Sequence, residues 1–185
     1  MAKVFVITGP SGVGKGTLIR ALRERVPGLA LSTSATTRAP REGEEDGRDY
    51  HFLDRDEFAR RAQGNEFLEH AAYSGNRYGT LRSEVEQRLD RGQSVLLEIE
   101  VQGARQERAA MPEAVLVFIA PPDPSALRER LERRGTDDPE AIGERLRVAG
   151  IELDAQQEFQ HVVVNDELEG AAAELERIVR TELDR

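Results

Sequence analysis

The residues with the clearest chemical potential lie at positions 9–17, where the sequence is GPSGVGKGT. Closely spaced glycines let backbone N–H groups converge on phosphate oxygens, and a lysine adds a mobile positive charge. An apolar run at residues 4–7 precedes the segment and an amphipathic helical pattern follows it. This is the strand–loop–helix context of a phosphate-binding loop. We therefore predict that the loop binds nucleotide phosphates, with Lys15 reaching the β- and γ-phosphates; a plain strand–turn–helix is the alternative.

Two arginines and two tyrosines form a second candidate set of phosphate ligands. Arg38 and Arg41 bracket a proline turn, and guanidinium groups bind phosphate oxygens in a bidentate manner. The phenolic hydroxyls of Tyr50 and Tyr78 can donate to the same phosphate. Taken singly, these residues are equally compatible with surface arginines and half-buried tyrosines. Together with the glycine-rich loop, they favour a second phosphate site.

Two acidic residues stand out because they lie in an otherwise apolar segment. Glu98 and Glu100 are two positions apart at the end of the run at 95–99, so on a strand they would share one face. Ligands of open parallel sheets bind at the carboxyl ends of the strands, and acidic groups in an apolar run are costly without a partner. We predict that a metal with its water shell, or donors of a nucleotide, supply those partners.

The bulk composition narrows the class of protein. The net charge of −9 argues against a general nucleic-acid binder, and the absence of cysteine excludes thiol catalysis, thiolate metal sites and disulfides. The amino terminus leads directly into a core-type strand, so we expect no signal peptide. No apolar run approaches the roughly 20 residues that span a bilayer. The expectation is a cytoplasmic protein without membrane or nucleic-acid partners.

Strand and helix patterns alternate along most of the chain. Besides residues 4–7, buried parallel strands are predicted at 29–32, 95–99, 115–119 and 161–165, and helices at 83–91, 125–133, 139–159 and about 170–183. This alternation predicts a parallel sheet covered on both faces. Residues 33–82 interrupt it with short strand-like pieces at 50–53 and 66–69, which favours an inserted lobe. Within that lobe, residues 41–49 are predicted as a flexible loop.

Several short motifs, in a fixed order, resemble one known family. They are SATTRAPREGE from Ser34, GRDYHF from Gly47, EHA from Glu69, YSGNRYGT from Tyr73, LEIEVQG from Leu97, FIAPP from Phe118, LERRGT from Leu131 and VND from Val164. These segments closely resemble guanylate kinases over the full length of the chain. The resemblance implies ATP-dependent phosphorylation of GMP to GDP, with dGMP as a second acceptor and Mg²⁺ as cofactor.

The resemblance also implies the architecture of the fold. It is an α/β P-loop three-layer sandwich with a parallel five-stranded core sheet, an inserted lobe that binds the nucleoside monophosphate and a short lid. The whole chain, 1–185, forms one such domain. Its core comprises residues 1–32, 83–120 and 140–185, the GMP-binding lobe residues 33–82 and the lid residues 121–139. The oligomeric state is not predicted.

Site residues follow from the same resemblance. The GMP-binding positions are Ser34, Arg38, Arg41, Tyr50, Glu69, Tyr78, Thr80, Glu100 and Arg145. The ATP-binding positions are Gly9, Pro10, Ser11, Gly12, Val13, Gly14, Lys15, Gly16, Thr17, Arg130, Arg134 and Asn165. Lys15, Arg38, Arg134 and Arg145 are expected to act in catalysis, and Glu98 to contact Mg²⁺ through water.

The chemistry of guanine explains the expected role of Glu69. Guanine presents an N1–H and a 2-amino group side by side, so one carboxylate accepts both, whereas the unprotonated N1 of adenine would be repelled. The chain departs from the family at Gly16, where a serine or threonine hydroxyl is usual, and at Glu100, where aspartate is usual. Two other functions stay open: a non-catalytic module that binds phosphopeptides, and a kinase for another nucleoside monophosphate.

Overall fold

The computed structural model describes residues 1–73, 75–134 and 139–185, without the side chains of residues 133–134 and 139–141. The strands are β1 (Val4–Thr8), β2 (Ala30–Leu31), β3 (Ala35–Thr36), β4 (His51–Phe52), β5 (Phe67–Tyr73), β6 (Asn76–Leu81), β7 (Val95–Glu98), β8 (Val115–Ala120) and β9 (His161–Val164). The helices are α1 (Lys15–Arg25), α2 (Arg55–Gln63), α3 (Arg82–Asp90), α4 (Val101–Ala110), α5 (Pro124–Arg134), α6 (Pro139–Asp154) and α7 (Leu168–Leu183), and a short 3₁₀ helix covers Ala155–Glu158. Among these helices, none is both long and apolar enough to cross a membrane.

The main sheet has five parallel strands in the order β2-β7-β1-β8-β9. Alternate residues of β1 enter different cores: Phe5 and Ile7 pack with α1 and α7, whereas Val4 and Val6 pack with residues of α3 and α4. Both faces of the sheet are therefore covered, which confirms the predicted α/β fold with a five-stranded parallel sheet. Such strands read as continuous apolar runs because neither side meets water.

The chain leaves β1 through a loop that depends on glycine. Gly9 has φ 142°, and a Cβ atom at this position would lie 2.3 Å from the carbonyl oxygen of Ile119 on β8. Gly14, with φ 96°, is the N-cap of α1 and makes no side-chain capping bond. The free N–H groups of the first turn of α1 therefore face the loop rather than a capping side chain.

A second, smaller sheet lies within residues 35–81 and has the order β4-β3-β6-β5. β3 runs parallel to β4 and antiparallel to β6, and β5 pairs with β6 as an antiparallel hairpin. Its own core consists of Ala35, Phe58, Phe67 and Leu81, and the rings of Phe58 and Phe67 stack with centroids 4.5 Å apart. This small core is distinct from the two cores of the main sheet, although Leu68 of β5 packs into the core that contains Val4 and Val6.

Several local features differ from the sequence prediction. Strands β3 and β6 were not predicted, because β3 has only two residues and β6 begins with the polar residues Asn76 and Arg77. Helices α2 and α4 were not predicted either, since each buries few large apolar side chains: α2 buries only Phe58, and half of the buried residues of α4 are glycine or alanine. The predicted helix at 139–159 ends at Asp154, where a 3₁₀ turn leads Phe159 onto the ring of Phe118, with centroids 5.2 Å apart. Glu100 is not on the strand, because β7 ends at Glu98.

Replacing Phe58 with Ala is expected to loosen the second sheet while leaving the main sheet intact, because the side chain belongs to the separate small core. Loss of a fully buried aromatic ring costs about 3–5 kcal/mol. Hydrogen exchange measured by mass spectrometry should show faster exchange across residues 35–81 and unchanged exchange in β1 and β8. As a control, Leu175→Ala removes a fully buried side chain of the main core and should speed exchange in the main sheet. Equal acceleration of both sheets by Phe58→Ala would contradict the separation.

Candidate functional site

Two adjoining clefts open at the carboxyl ends of the main-sheet strands. The first has a volume of about 360 Å³ and lies between the main sheet and the second sheet, and the second has a volume of about 500 Å³ and lies over the glycine-rich loop. Lys15, Glu98 and Glu100 line both clefts. The two clefts therefore meet at one lysine and two carboxylates, as expected for a parallel sheet whose strands end at a common edge.

The second cleft is formed by the glycine-rich loop and the first turn of α1. Its lining includes Ser11, Gly12, Gly14, Lys15, Gly16, Thr17, Arg20 and Arg130. The Nζ atom of Lys15 donates to the carbonyl oxygens of Gly9, at 2.6 Å, and Pro10, at 3.3 Å. The ammonium is thus held against its own loop, next to the uncapped end of α1. Helix N-termini of this kind attract anions.

Asn165 and Arg130 brace this loop from two other elements. The Nδ2 atom of Asn165, just after β9, donates to the carbonyl oxygen of Val13 at 2.7 Å. Arg130, on α5, donates to the same oxygen at 3.1 Å and to the carbonyl oxygen of Asn165 at 2.8 Å. The structure thus brings three of the predicted ATP positions together: Asn165 and Arg130 hold the loop at Val13. Arg130 also lines the cleft.

Glu69 lies at the inner end of the first cleft. The side chain belongs to β5, and the residue is only 5% exposed. Its Oε1 atom accepts a hydrogen bond from the hydroxyl of Thr80 on β6 at 2.7 Å. Burial raises the pKa of Glu69, and the nearby Glu100 acts in the same direction, while the hydrogen bonds from Thr80 oppose the shift. One carboxylate with a fixed donor on one side is well placed to accept hydrogen bonds from a ligand on the other.

Gly103 of α4 allows this carboxylate to sit where it does. A Cβ atom built on Gly103 would lie 2.5 Å from the Oε2 atom of Glu69. Any side chain at position 103 would therefore displace the carboxylate. Sequence analysis did not select Gly103 as a site residue. The signal that could have identified it is the presence of glycine, a poor helix former, in the motif LEIEVQG.

Of the predicted monophosphate ligands, Tyr50 and Tyr78 line the first cleft, and Arg38 lies beside Tyr50. The rings of Tyr50 and Tyr78 lie edge to face with centroids 6.2 Å apart, and the guanidinium carbon of Arg38 lies 5.3 Å from the centroid of Tyr50. Arg38 makes two hydrogen bonds to Glu44, at 2.9 and 3.0 Å, and the backbone N–H of Arg41 donates to the same carboxylate at 2.7 Å. Ser34 also lines the cleft, whereas Arg41 is exposed.

Glu44 was missed by the sequence analysis, although it lies in a quoted motif. It occupies Arg38 in the bidentate geometry that a phosphate would adopt. The hydrogen bonds from Arg38 and from the backbone of Arg41 lower the pKa of Glu44. The contact stands where an anionic ligand would compete for the arginine.

The carboxylates at the junction are arranged differently from the prediction. Glu98 is the last residue of β7, but Glu100 is the N-cap of α4 rather than a strand residue, so the two do not share a strand face. They nevertheless reach the same junction, because the chain turns from strand to helix between them. Partial loss of hydration raises the pKa of Glu98. The positive charge of Lys15 opposes this shift, and the negative charge of Glu100 adds to it.

Glu152 of α6 brings a third carboxylate to the junction. Burial and the charge of Glu100 raise its pKa, while Lys15 opposes the shift. Nothing in the local sequence distinguished it from the other acidic residues of a charged helix.

Two arginines were predicted to act in catalysis beside Lys15 and Arg38. Arg145 of α6 is half-buried and interacts with other residues. The side chain of Arg134 lies outside the described residues.

Comparisons with known proteins show the family of the chain. The family model described as guanylate kinase matches residues 1–182. Guanylate kinases from Synechococcus sp. (strain CC9311) and Frankia casuarinae are 53% and 54% identical; the alignments cover 96% and 92% of this chain and 93% and 92% of the relatives. The chain belongs to the guanylate kinase family. The crystal structure of guanylate kinase from Anaplasma phagocytophilum is 36% identical, with a TM-score of 0.78 over 98% of this chain and 86% of that chain.

Replacing Gly103 with Ala tests whether the close approach of α4 to Glu69 matters for nucleotide binding in this guanylate kinase. The added methyl group must push the carboxylate aside, and a displacement of about 1 Å in a binding site can cost on the order of 100-fold. We expect a KM for GMP that is about 10- to 100-fold higher than in the unmodified chain and an unchanged affinity for ATP, measured by steady-state kinetics and ATP titration.

Gly150→Ala is the matched control, because Gly150 is exposed in α6 and an added Cβ meets nothing within 4 Å. It should leave both nucleotide affinities unchanged. An unaltered KM for GMP in Gly103→Ala would show that Glu69 is not held by this contact.

Proposed function

We propose that the chain transfers the γ-phosphoryl group of ATP to GMP, and also to dGMP, yielding ADP and the corresponding nucleoside diphosphate. A phosphate oxygen of the acceptor attacks the γ-phosphorus, and the bond to the β–γ bridging oxygen breaks as ADP leaves. Membership of the guanylate kinase family over residues 1–182 supports the reaction. The observation that carries it is the meeting of the two clefts at Lys15, one with a buried carboxylate and one with a phosphate-binding loop.

The buried Glu69 is the proposed reader of guanine. Its carboxylate accepts the N1–H and the 2-amino group of the base, and Thr80 holds it in place through the 2.7 Å hydrogen bond. Ser34 lines the same cleft and can hydrogen-bond the base. Adenine would direct an unprotonated N1 at the carboxylate, and a buried polar group left unpaired disfavours the wrong base by about 1–3 kcal/mol.

Arg38, Arg41, Tyr50 and Tyr78 are the proposed ligands of the acceptor's monophosphate. The contact between Arg38 and Glu44 supports this role, because it already orients the guanidinium for a bidentate anion. An incoming phosphate carries more charge than a carboxylate and competes for both Arg38 and the Arg41 backbone. Glu100 and Arg145 complete the proposed acceptor side.

The glycine-rich loop is the proposed binding site for the phosphates of ATP. Its backbone N–H groups, the first turn of α1, Lys15 and Thr17 face the anion, while Arg130 and Asn165 hold the loop in shape. Arg134, within the proposed lid at 121–139, and Arg145, which follows that segment, are proposed to stabilise the charge that develops during transfer. Catalysis in this chemistry consists mainly of positioning and charge neutralisation.

ATP-using enzymes of this family work with a divalent metal, and we propose that it is Mg²⁺. In the described residues, no group of three or more acidic, histidine or cysteine side chains could hold a metal. Glu98 could hold the metal together with the phosphates of the substrates, since it lines both clefts. Its oxygens lie 3.7 and 3.9 Å from a Cβ atom built on Gly16 of the loop. Mg²⁺ typically keeps several waters and uses one or two carboxylates plus substrate phosphates. When bound, the ion neutralises charge on the transferred phosphoryl group.

The alternative of a non-catalytic phosphopeptide-binding module is disfavoured by the complete glycine-rich loop. Such a module would need only the arginine–tyrosine cluster and not a second anion cleft. Peptide recognition by that cluster would not need Lys15 or the uncapped first turn of α1.

Replacing Glu69 with Gln tests both the function and its specificity. The unmodified chain should release ADP from ATP with GMP and dGMP, and far less with AMP, CMP or UMP. Because the amide presents one acceptor where the carboxylate presents two, kcat/KM for GMP should fall about 10- to 100-fold, with little change in the KM for ATP. A coupled assay of ADP release measures both.

Glu66→Gln is the matched control, because Glu66 lies just before β5 and its contacts are surface ion pairs with Arg60 and Arg61. Its kinetics should equal those of the unmodified chain. Equal losses for GMP and ATP in Glu69→Gln would contradict the assignment to guanine, and no GMP-dependent ADP release from the unmodified chain would overturn the proposed function.

Replacing Gly16 with Ser tests the proposed metal position. The position has room for a side chain beside Glu98, and the new hydroxyl supplies an oxygen ligand that Gly16 lacks. We expect the Mg²⁺ concentration that gives half-maximal activity to fall by about three- to tenfold, measured by titration at a fixed ATP concentration. Gly150→Ser serves as the control, and identical Mg²⁺ curves for all three proteins would argue against a metal next to Gly16.

A further inference from the structure

Glu107 of α4 is a buried acid that the proposed reaction does not use. The residue is 0% exposed, and within the described part of the chain neither carboxyl oxygen has a hydrogen-bond partner. An ionised carboxylate without donors is strongly disfavoured in such a place. The protonated carboxyl is the form that such a site favours.

The position of Glu107 connects it to the guanine pocket. α4 packs against β5, and Glu107 follows Gly103 by one helical turn, so both residues lie on the side of α4 that faces Glu69. The charged groups that act on Glu107 are Glu69 on β5, Arg82 at the start of α3 and Glu113 after α4. Two of these three are acids, and Arg82 is the one of the three that favours a charged Glu107.

Hydrogen bonding decides which of the two buried acids holds a proton. Glu69 accepts a hydrogen bond from Thr80, which stabilises its charged form, whereas none of the described residues donates to either oxygen of Glu107. Burial, followed by the charge of Glu69, raises the pKa of Glu107 to about 7, and Arg82 opposes the shift. The negative charge therefore belongs on Glu69 and the proton on Glu107.

We propose that Glu107 is a positioning residue whose neutral carboxyl lets Glu69 carry the charge that binds guanine, and that ionisation of Glu107 weakens acceptor binding. The inference rests on the proposed function of Glu69. A bound nucleotide excludes water from the cleft and brings phosphate charge towards it, and both effects penalise a second carboxylate behind the first.

The sign of the pH dependence follows from this linkage. Because GMP raises the pKa of Glu107, binding takes up a proton wherever Glu107 is partly ionised in the free protein. GMP affinity is fully present below the pKa that Glu107 has in the free protein, and it falls as the pH rises towards the pKa that Glu107 has in the complex. If GMP raises the pKa of Glu107 by one unit, GMP affinity falls about tenfold across this window.

The test is calorimetric titration of the full chain with GMP at pH 7.5, in two buffers that differ in ionisation enthalpy. At this pH the phosphate of GMP, with a second pKa of about 6, is almost fully dianionic and contributes little. The unmodified chain should take up about half a proton per GMP, and Glu107→Gln, which is permanently neutral, should take up none. GMP affinity should fall several-fold from pH 6.5 to pH 8.5 in the unmodified chain and stay level in the variant.

Glu113→Gln is the control, since it removes an exposed acid near Glu107 and should leave the proton uptake in place. Glu107→Leu provides a second neutral side chain and should behave like Glu107→Gln. Uptake that persists in both Glu107 variants, or GMP binding without uptake in the unmodified chain, would overturn the inference and leave the proposed function standing. A failure of the unmodified chain to bind GMP would overturn the proposed function itself.

Discussion

The structure is organised around the meeting, at Lys15, of two clefts that we propose bind the phosphates of two nucleotides. Two nucleotides with several negative charges each repel one another, so they can approach only where cations and backbone N–H groups converge. Lys15, the first turn of α1 and the carboxyl ends of the parallel strands provide that place. Three carboxylates, Glu98, Glu100 and Glu152, surround it as well. In the proposed reaction, the metal and the arginines offset the charge of these carboxylates and so favour the binding of phosphate.

The second sheet meets a different requirement, because in the proposed function one frame presents both the carboxylate that binds the base and the residues that bind the acceptor's phosphate. The hairpin of β5 and β6 places Glu69 and Thr80 opposite each other in register. The same sheet holds Tyr78 next to Tyr50 and Arg38. This frame has a small core of its own, and Leu68 and the hydrogen bonds between Gln106 and the backbone of His70 fasten it to α4 beside the main sheet.

Periodicity and motif order predicted the main sheet well, since each of its strands is a short apolar run. They failed where packing uses small residues: α4 buries Gly103 and Ala104, which give no apolar pattern. The identities of Glu69, Arg38 and Lys15 as site residues came from resemblance and chemistry together. Partners such as Glu44 and Glu152 were not predictable, because their importance comes from residues that only the fold brings near them.

α4 illustrates why a site depends on more than its contact residues. Gly103 lets the carboxylate of Glu69 approach the helix, and one turn later Glu107 lies behind it with no hydrogen-bond partner in the described residues. The same face therefore fixes both the position of the reading group and the charge around it. A hydrophobic residue at position 107 would pack at lower cost. The buried acid instead makes the charge of the guanine pocket depend on a proton that the fold holds several residues away from the ligand.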